Sequence, residues 1–230
     1  MGQDIAVWEP DYLDFLSGHQ LLVVEDYSKV VDQRTVDVNN HPHFTALIYS
    51  VLTWREKFDS NQAQFHEFLS NGFWTSRDVL ENKSDLAELL GEKGFGNKKF
   101  DTIYTAAEKW GELDITRRMR EDKDKQLGKY LRKLICEEIP YMGPKISSLF
   151  VRMSGYQGIV PVDMWAIRYV ESRGFRSRHE NSGLKYDQYL AYEDRMAEYA
   201  GEINITPALF QATIYTAFST WKKDSGFENL

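Results

Sequence analysis

A lysine and an aspartate, 18 positions apart, are the residues of this chain whose types and spacing best suit chemistry. Lys145 follows Gly143 and Pro144 and would lie at the start of a helix. Asp163 ends the segment Val160-Pro161-Val162-Asp163, directly before another helical pattern. A neutral amine is a nucleophile, and a carboxylate stabilises positive charge that develops beside it. Together the two residues indicate covalent catalysis, in which the amine attacks and the carboxylate assists.

Two helices and two connections must position this pair. The apolar periodicity predicts helices from Leu127 to Glu138 and from Pro144 to Met153, joined by a tight turn. The first N–H groups of the second helix have no internal partner and lie at the positive end of its dipole, so they could bind a phosphate. A loop from Ser154 to Val162 can return the chain to the hairpin. We therefore expect the amine and the carboxylate to lie beside one cleft.

Each of these features also has a purely structural interpretation. A helix, a Gly-Pro turn and a second helix could be a simple corner between helices. Asp163 could serve only as the N-cap of the helix that begins at Met164, and Lys145 could contact a phosphate without reacting. His41 and His43 have a spacing that metal ligands can share, but without further ligands we interpret them as ordinary loop residues.

The rest of the chain predicts a mainly α protein. Apolar residues recur at helical spacing from Phe44 to Leu52, and Ser76 or Asp78 could cap a later helix. The connections between helical segments are short, which favours a bundle of short, orthogonal helices. Only two short β-branched runs, at 21–24 and 35–38, suggest extended segments.

Composition excludes several classes of protein. The chain has 230 residues, and no run approaches the roughly 18 apolar residues that a membrane-spanning helix needs. Cys136 is the one cysteine, which excludes disulfides, cysteine zinc sites and iron–sulfur clusters. The first residues lack the pattern of a secretory signal, so we expect a soluble intracellular protein, cytoplasmic and nucleoid-associated or otherwise intracellular.

Charge is unevenly distributed along the chain, which has a formal net charge of −7. Residues 1–41 carry eight acidic and two basic side chains, whereas residues 117–152 carry ten basic and five acidic ones. Four arginines and one glutamate follow between Arg168 and Arg178. A locally basic face can attract a polyanion within a Debye length of about 10 Å, even on an acidic protein. The alternative is a set of solvated helix faces.

The motifs around the pair resemble those of the helix-hairpin-helix DNA glycosylase superfamily, best over residues 127–175. The run Ile139-Pro140-Tyr141-Met142-Gly143-Pro144-Lys145 is similar to the family's hairpin, with Lys145 at the position of the lyase lysine. Val160-Pro161-Val162-Asp163 is similar to its catalytic aspartate loop. Arg168 falls where many members also have arginine.

One branch of the superfamily is the most similar, and two residues depart from the common pattern. The run from Phe150 to Tyr156 looks most like the archaeal GO glycosylase group of 8-oxoguanine DNA glycosylases. Tyr141 replaces the first glycine usual in the hairpin, so the turn or its grip on a phosphate could differ. Trp165 stands where many members have histidine.

The resemblance implies a bifunctional DNA glycosylase/AP lyase of base excision repair that removes an oxidised base, with 8-oxoguanine as the favoured lesion. Lys145 would expel the base and form a Schiff base with the deoxyribose, and the strand would then break by β-elimination. Asp163 would stabilise positive charge on the sugar. The alternatives are a monofunctional glycosylase for another damaged base and a non-catalytic hairpin module that binds DNA.

The resemblance also implies a two-lobed helical fold. Residues 42–153 would form a helical barrel domain that ends in the helix-hairpin-helix. Residues 1–41 and 154–230 would form a second helical lobe that carries Asp163. The cleft between the lobes would hold the extruded nucleotide.

The implied partner is damaged double-stranded DNA, bound by a monomer without any membrane contact. No cofactor, iron–sulfur cluster or catalytic metal is implied, although a monovalent cation could lie at the hairpin. The residues expected to contact the DNA are Tyr141, Gly143, Arg152 and Arg168. Those expected to line the base pocket are Trp54, Trp165 and Phe218.

Overall fold

The computed structural model of the chain describes residues 42–53, 58–91, 95–122, 126–177 and 184–224. The described residues form eleven helices and no strand, which confirms the mainly α fold. The helices are α1 (Pro42–Leu52), α2 (Phe58–Ser70), α3 (Ser76–Glu81), α4 (Lys83–Leu90), α5 (Gly96–Leu113), α6 (Ile115–Glu121), α7 (Gly128–Glu138), α8 (Pro144–Met153), α9 (Met164–Ser172), α10 (Tyr186–Glu202) and α11 (Pro207–Asp224). The runs 21–24 and 35–38 lie outside the described residues.

The described residues divide into two compact units between Tyr156 and Gln157. The first unit contains α1 to α8 and therefore the hairpin with Lys145. The second unit contains α9 to α11 and therefore Asp163. Within this described part of the chain, no helix combines the length and the apolar character needed to cross a membrane.

Helix α1 holds the first unit together. Its predicted apolar stripe is buried, and Leu47, Ile48 and Leu52 have no exposed surface. The helix packs against α2, α5, α6 and α8. Burial of each such side chain contributes about 1.5–3 kcal/mol relative to exposure. The stripe therefore fixes α8, and with it one half of the hairpin, on the rest of the unit.

The N-terminus of α3 differs from the prediction. We expected Ser76 or Asp78 to cap this helix, but Thr75 is its N-cap. The Thr75 hydroxyl accepts the Asp78 N–H at 3.1 Å, and the Asp78 carboxylate accepts the Thr75 N–H at 2.8 Å. This reciprocal capping box satisfies two N–H groups at once. With Ser76 as the cap, the Asp78 side chain would be one residue too close in sequence to complete such a box.

Helices α9, α10 and α11 pack against one another to form the second unit. Phe210 and Ile214 of α11 are buried in its core. Tyr169 of α9 meets Phe210 edge-on, with ring centroids 5.5 Å apart. Helix α9 begins at Met164, as predicted, directly after Asp163. The core of the second unit therefore fixes α9, and with it the position of Asp163 at the start of that helix.

Candidate functional site

The hairpin joins α7 to α8 through residues 139–143, and α8 begins with Pro144 as predicted. No side chain caps the N-terminus of α8. Its first intrahelical hydrogen bond runs from the Ser147 N–H to the Gly143 carbonyl, at 3.0 Å. The N–H groups of Lys145 and Ile146 precede that bond and have no intrahelical acceptor. The helix dipole is positive here, so this end of α8 is suited to an anion such as a phosphate.

Tyr141 lies at the tip of the hairpin in a conformation that favours glycine. Its φ is 61°, in the left-handed region, and its side chain is 48 % exposed. The Lys98 ammonium lies 5.4 Å from the centre of the Tyr141 ring. The turn therefore keeps the backbone geometry for which a glycine is usual, although a tyrosine occupies the position. The departure noted in the sequence changes the surface of the hairpin rather than the path of its backbone.

The carbonyl groups of the turn are held from inside the first unit. The Ile139 carbonyl accepts the Met142 N–H at 3.3 Å, and the Pro140 carbonyl lies 3.0 Å from the Thr102 hydroxyl of α5. The Met142 carbonyl accepts a hydrogen bond from the fully buried Ser147 hydroxyl at 2.9 Å. These bonds fix the turn against α5 and α8, so the start of α8 has a defined position.

Substitutions at Tyr141 test this backbone geometry. Tyr141→Gly should change the free energy of unfolding by less than about 1 kcal/mol. Relief of the left-handed strain, about 1–2 kcal/mol, offsets the added chain entropy of glycine, about 0.5–1 kcal/mol, and the lost contact with Lys98, about 0.5–1 kcal/mol. Tyr141→Val should destabilise by about 1–2 kcal/mol because a β-branched residue rarely adopts this φ. Urea denaturation of the two variants measures the difference, and equal stabilities would contradict a left-handed residue 141.

Lys145 is the second residue of α8, and its side chain is exposed. Within the described ranges, no acidic side chain pairs with its ammonium. Other lysines of the first unit are paired: Lys109 lies 2.7 Å from Glu138, and Lys133 lies 3.8 Å from Glu137. The predicted nucleophile is therefore accessible from solvent at an uncapped helix N-terminus.

Several residues of the predicted basic region have structural roles. Arg132 is fully buried and donates to the Ser148 hydroxyl at 3.1 Å, and Arg117 pairs with Asp114 and Glu121. Arg152, at the end of α8, is only 8 % exposed. A DNA contact by Arg152 stays a prediction, and it requires the side chain to turn outward from the position that it occupies here.

Asp163 is the N-cap of α9, in an extended conformation, and it is 7 % exposed. One carboxylate oxygen, Oδ1, accepts the Ala166 N–H at 2.8 Å. The other, Oδ2, accepts a hydrogen bond from the Gln211 side-chain amide at 3.1 Å. The structural role considered for this residue, an N-cap, is therefore confirmed. A carboxylate oxygen can accept more than one hydrogen bond, so capping is compatible with a role in catalysis.

Two side chains of α10 hold the loop that leads to Asp163. The Tyr189 hydroxyl accepts the Val162 N–H and donates to the Val160 carbonyl, both at 2.9 Å. The Glu193 carboxylate accepts the Val160 N–H at 3.0 Å. Tyr189 and Glu193 are four residues apart, on one face of the helix, and both are buried. The polar side chains thereby satisfy loop groups that have no strand partner.

Tyr189, Glu193 and Gln211 were not among the residues predicted for this site. The sequence did contain an indication of their role. Each is a polar residue within a helical stripe whose other members are apolar and buried. Glu193, for example, lies between the buried Tyr192 and Met196 on α10. A charged residue inside such a stripe needs a buried partner. The sequence alone does not say that the partner is a backbone group 33 positions away.

Tyr215 is a further residue near Asp163 that the sequence analysis missed. It follows Gln211 by one helical turn and is 38 % exposed. Partial burial raises the pKa of the Tyr215 hydroxyl, and the negative charge of Asp163 raises it further. The hydroxyl is therefore protonated at neutral pH and can donate a hydrogen bond.

The other residues predicted to contact DNA or to line the base pocket differ in their exposure. Arg168 is exposed, and its guanidinium lies 5.0 Å from the centre of the Trp165 ring. Trp165 is half-buried against the core of the second unit. Trp54 and the side chain of Phe218 lie outside the described part of the chain, so their place in a base pocket stays a prediction. Gly143 is exposed beside Lys145.

The first unit also contains a pocket of about 390 Å³. It is lined by aromatic and hydroxyl side chains, among them Phe44, Trp110 and Thr116. Trp110 meets Phe44 edge-on at 4.9 Å and donates its indole N–H to the Thr116 hydroxyl at 3.1 Å. Its lining is thus engaged in packing. His43 also lines it, and no group of three His, Cys, Asp or Glu side chains among the described residues could hold a metal ion.

Comparison with known proteins identifies the family to which the chain belongs. Residues 24–205 match the helix-hairpin-helix family model described as 8-oxoguanine DNA glycosylase. An 8-oxoguanine DNA glycosylase/AP lyase of Sulfolobus acidocaldarius is 24 % identical over 174 residues, which is 75 % of this chain and 79 % of the relative. The crystal structure of the Methanocaldococcus jannaschii 8-oxoguanine DNA glycosylase has the same fold, with a TM-score of 0.63, 18 % identity and coverage of 91 % of this chain and 98 % of that one. Because the family model covers most of its length, the chain belongs to the helix-hairpin-helix family of 8-oxoguanine DNA glycosylases.

Proposed function

We propose that the protein is a bifunctional DNA glycosylase/AP lyase that removes 8-oxoguanine from duplex DNA. The observation that carries the proposal is the exposed Lys145 at the uncapped N-terminus of α8, directly after the hairpin. A phosphate bound to this helix end would bring a deoxyribose within reach of the amine. The family and the Sulfolobus relative, named as a glycosylase/AP lyase, support the substrate and both activities.

In the proposed reaction, Lys145 acts first on an extruded nucleotide. The lone pair of its neutral amine forms a bond to C1′ while the glycosidic bond breaks, and the bonding electrons leave with the base, which takes up a proton. Opening of the sugar ring gives a protonated imine between the lysine and C1′. The imine makes the C2′ proton acidic, and loss of that proton expels the 3′ phosphate, which cuts the strand. Water then releases the sugar remnant and restores the amine.

Asp163 assists the same nucleotide in this proposal. Positive charge develops on the sugar as the glycosidic bond breaks, and a nearby carboxylate stabilises that charge. The carboxylate is buried and held at both oxygens, so it needs little rearrangement when the charge appears. It can also assist transfer of a proton.

The hairpin has room for the DNA backbone. Gly143 has an ordinary φ of −64°, and a Cβ added there would meet no protein atom within 4 Å. The fold therefore does not itself require glycine at this position, and the open space suits a phosphate that approaches the helix end. Tyr141 and Arg168, both exposed, are proposed to contact the flanking DNA.

A monovalent cation at the hairpin belongs to the same proposal. The candidate ligands are the carbonyl oxygens of the turn, of which those of Ile139 and Met142 each accept one hydrogen bond. A carbonyl oxygen has a second lone pair, which a cation would use. Such an ion would add positive charge beside a bound phosphate without a role in breaking bonds.

A panel of duplexes tests the proposed function. Each duplex carries one lesion, including 8-oxoguanine opposite each of the four bases, an oxidised pyrimidine and an alkylated purine. We expect base release and strand cleavage without alkali on the 8-oxoguanine duplexes, and a covalent adduct when borohydride is present. Base release that requires alkali for cleavage would instead indicate a monofunctional enzyme. Salt-sensitive binding without base release from any duplex would indicate a non-catalytic module.

A further inference from the structure

We propose that Gln211 is a positioning residue for Asp163, in that its side-chain amide fixes the second carboxylate oxygen so that the carboxylate is oriented and remains charged. This inference rests on the proposed function, in which Asp163 stabilises positive charge on the sugar. The two residues are 48 positions apart, and the hydrogen bond from Gln211 Nε2 to Asp163 Oδ2 is 3.1 Å long.

Two hydrogen bonds to Asp163, one local and one long-range, have different roles. The bond from the Ala166 N–H to Oδ1 is local, and any N-cap aspartate can form it. With this bond alone, the carboxylate could still rotate about the bonded oxygen. The bond from Gln211 comes from α11, a helix packed against α9, and fixes the plane of the carboxylate. Both side chains are buried, at 7 % and 5 % exposure, so water competes little for either.

The chemistry of an amide suits this position better than that of a charged donor. An N–H that donates to a carboxylate favours its ionised form. An arginine or a lysine would do the same but would also cancel most of the negative charge that the reaction needs. Glutamine holds the oxygen without adding a positive charge of its own. A buried carboxylate also needs such donors, because burial of a charge without hydrogen bonds is costly.

Three titratable side chains described in the second unit lie near this carboxylate or its loop: those of Tyr215, Tyr189 and Glu193. Tyr215 lies one turn beyond Gln211 on α11, and burial and the charge of Asp163 raise the pKa of its hydroxyl, which is therefore protonated at neutral pH. Tyr189 and Glu193 of α10 are engaged with the backbone at Val160 and Val162. These groups are present in every variant of residue 211. A pH dependence of base release that is seen with an ionisable residue at position 211, but not with a neutral one, can therefore be assigned to residue 211.

The competing interpretation is that Gln211 only ties α11 to α9. Two substitutions of similar volume separate the two roles. Gln211→Met removes the donor at every pH. Gln211→Glu places a second carboxyl beside Asp163: when ionised it repels the aspartate, and when protonated it donates a hydrogen bond in place of the amide. A structural tie would not restore activity on acidification.

The test measures single-turnover base release from an 8-oxoguanine duplex between pH 5 and pH 8, on native protein and both variants. We expect about a 10-fold loss for Gln211→Met at every pH, and a larger loss for Gln211→Glu at pH 8 that recovers toward pH 5. Thr213→Val is the control, since Thr213 is buried on the same helix but bonds only within it, to the Leu209 carbonyl. It should follow the native profile.

The outcomes distinguish failure of this inference from failure of the proposed function. If native protein is active and the Gln211→Glu profile is parallel to the native or the Gln211→Met profile, the positioning role is wrong and the proposed function stands. If native protein releases no base at any pH, both are overturned. Near-ultraviolet circular dichroism of each variant confirms that the second unit is folded during the assay.

Discussion

Lys145→Gln is expected to abolish the borohydride-trapped adduct and to reduce strand cleavage by at least about 10³-fold, the scale on which loss of a catalytic nucleophile acts. The glutamine amide has no basic lone pair, so no Schiff base can form. The position is exposed and lies in the first turn of α8, where glutamine is readily accommodated. The unfolding transition should therefore be unchanged, and the loss can be attributed to chemistry.

The control for this variant is Lys133→Gln. Lys133 is also exposed and belongs to the neighbouring helix α7, but its ammonium lies 3.8 Å from Glu137. Both variants remove one positive charge from an exposed helical position, so neither should disturb the fold. Only Lys145→Gln should lose the adduct. Normal trapping by Lys145→Gln would show that another amine is the nucleophile.

Asp163→Asn is expected to lower the rate of base release by about 10²–10⁴-fold while the fold persists. Asparagine caps a helix about as well as aspartate. Its one carbonyl oxygen can accept the Ala166 N–H, and the Gln211 amide can rotate to present its own oxygen to the new NH₂ group. The free energy of unfolding should therefore stay within about 1 kcal/mol of the native value. Single-turnover base release and urea denaturation on the same samples separate the two effects.

Asp163→Ala provides the contrast to the asparagine variant. It removes the cap, at a cost of about 1 kcal/mol, and also removes the hydrogen bond between the buried Gln211 amide and Asp163, at a further cost of about 1–3 kcal/mol. We expect it to be both inactive and less stable. If Asp163→Asn instead retained the native rate, the charge at this position would not contribute to the reaction, and the cap would be its only role.

The sequence predicted the local features of the site well. Helix α8 begins and ends where the apolar periodicity and the Gly-Pro pair placed it, and helix α9 begins at Met164 as predicted. The capping of α9 by Asp163 could be foreseen because a cap and its helix are adjacent in sequence. The backbone at Tyr141 was left open, because only the packing of α5 against the turn decides whether a tyrosine is held at a positive φ.

The long-range features could not be predicted from the sequence. The bonds from Tyr189, Glu193 and Gln211 to the Asp163 loop join residues 27 to 48 positions apart, and several polar residues of α10 and α11 were equally plausible partners. Arg152 is predicted to contact DNA because it belongs to the basic region of residues 117–152. Its burial at the end of α8 follows from tertiary packing, which the charge pattern does not contain.

The hydroxyl of Tyr189 links helix α10 to the loop before Asp163, two segments that are distant in sequence. It accepts from one peptide group and donates to another two residues earlier, so phenylalanine at this position would leave both the Val162 amide and the Val160 carbonyl unsatisfied. A lineage that loses this hydroxyl must therefore acquire a compensating change in residues 160–162 or in Glu193. Among diverged members of the family, these positions should covary, and the aspartate loop should be inherited together with the helix that supports it.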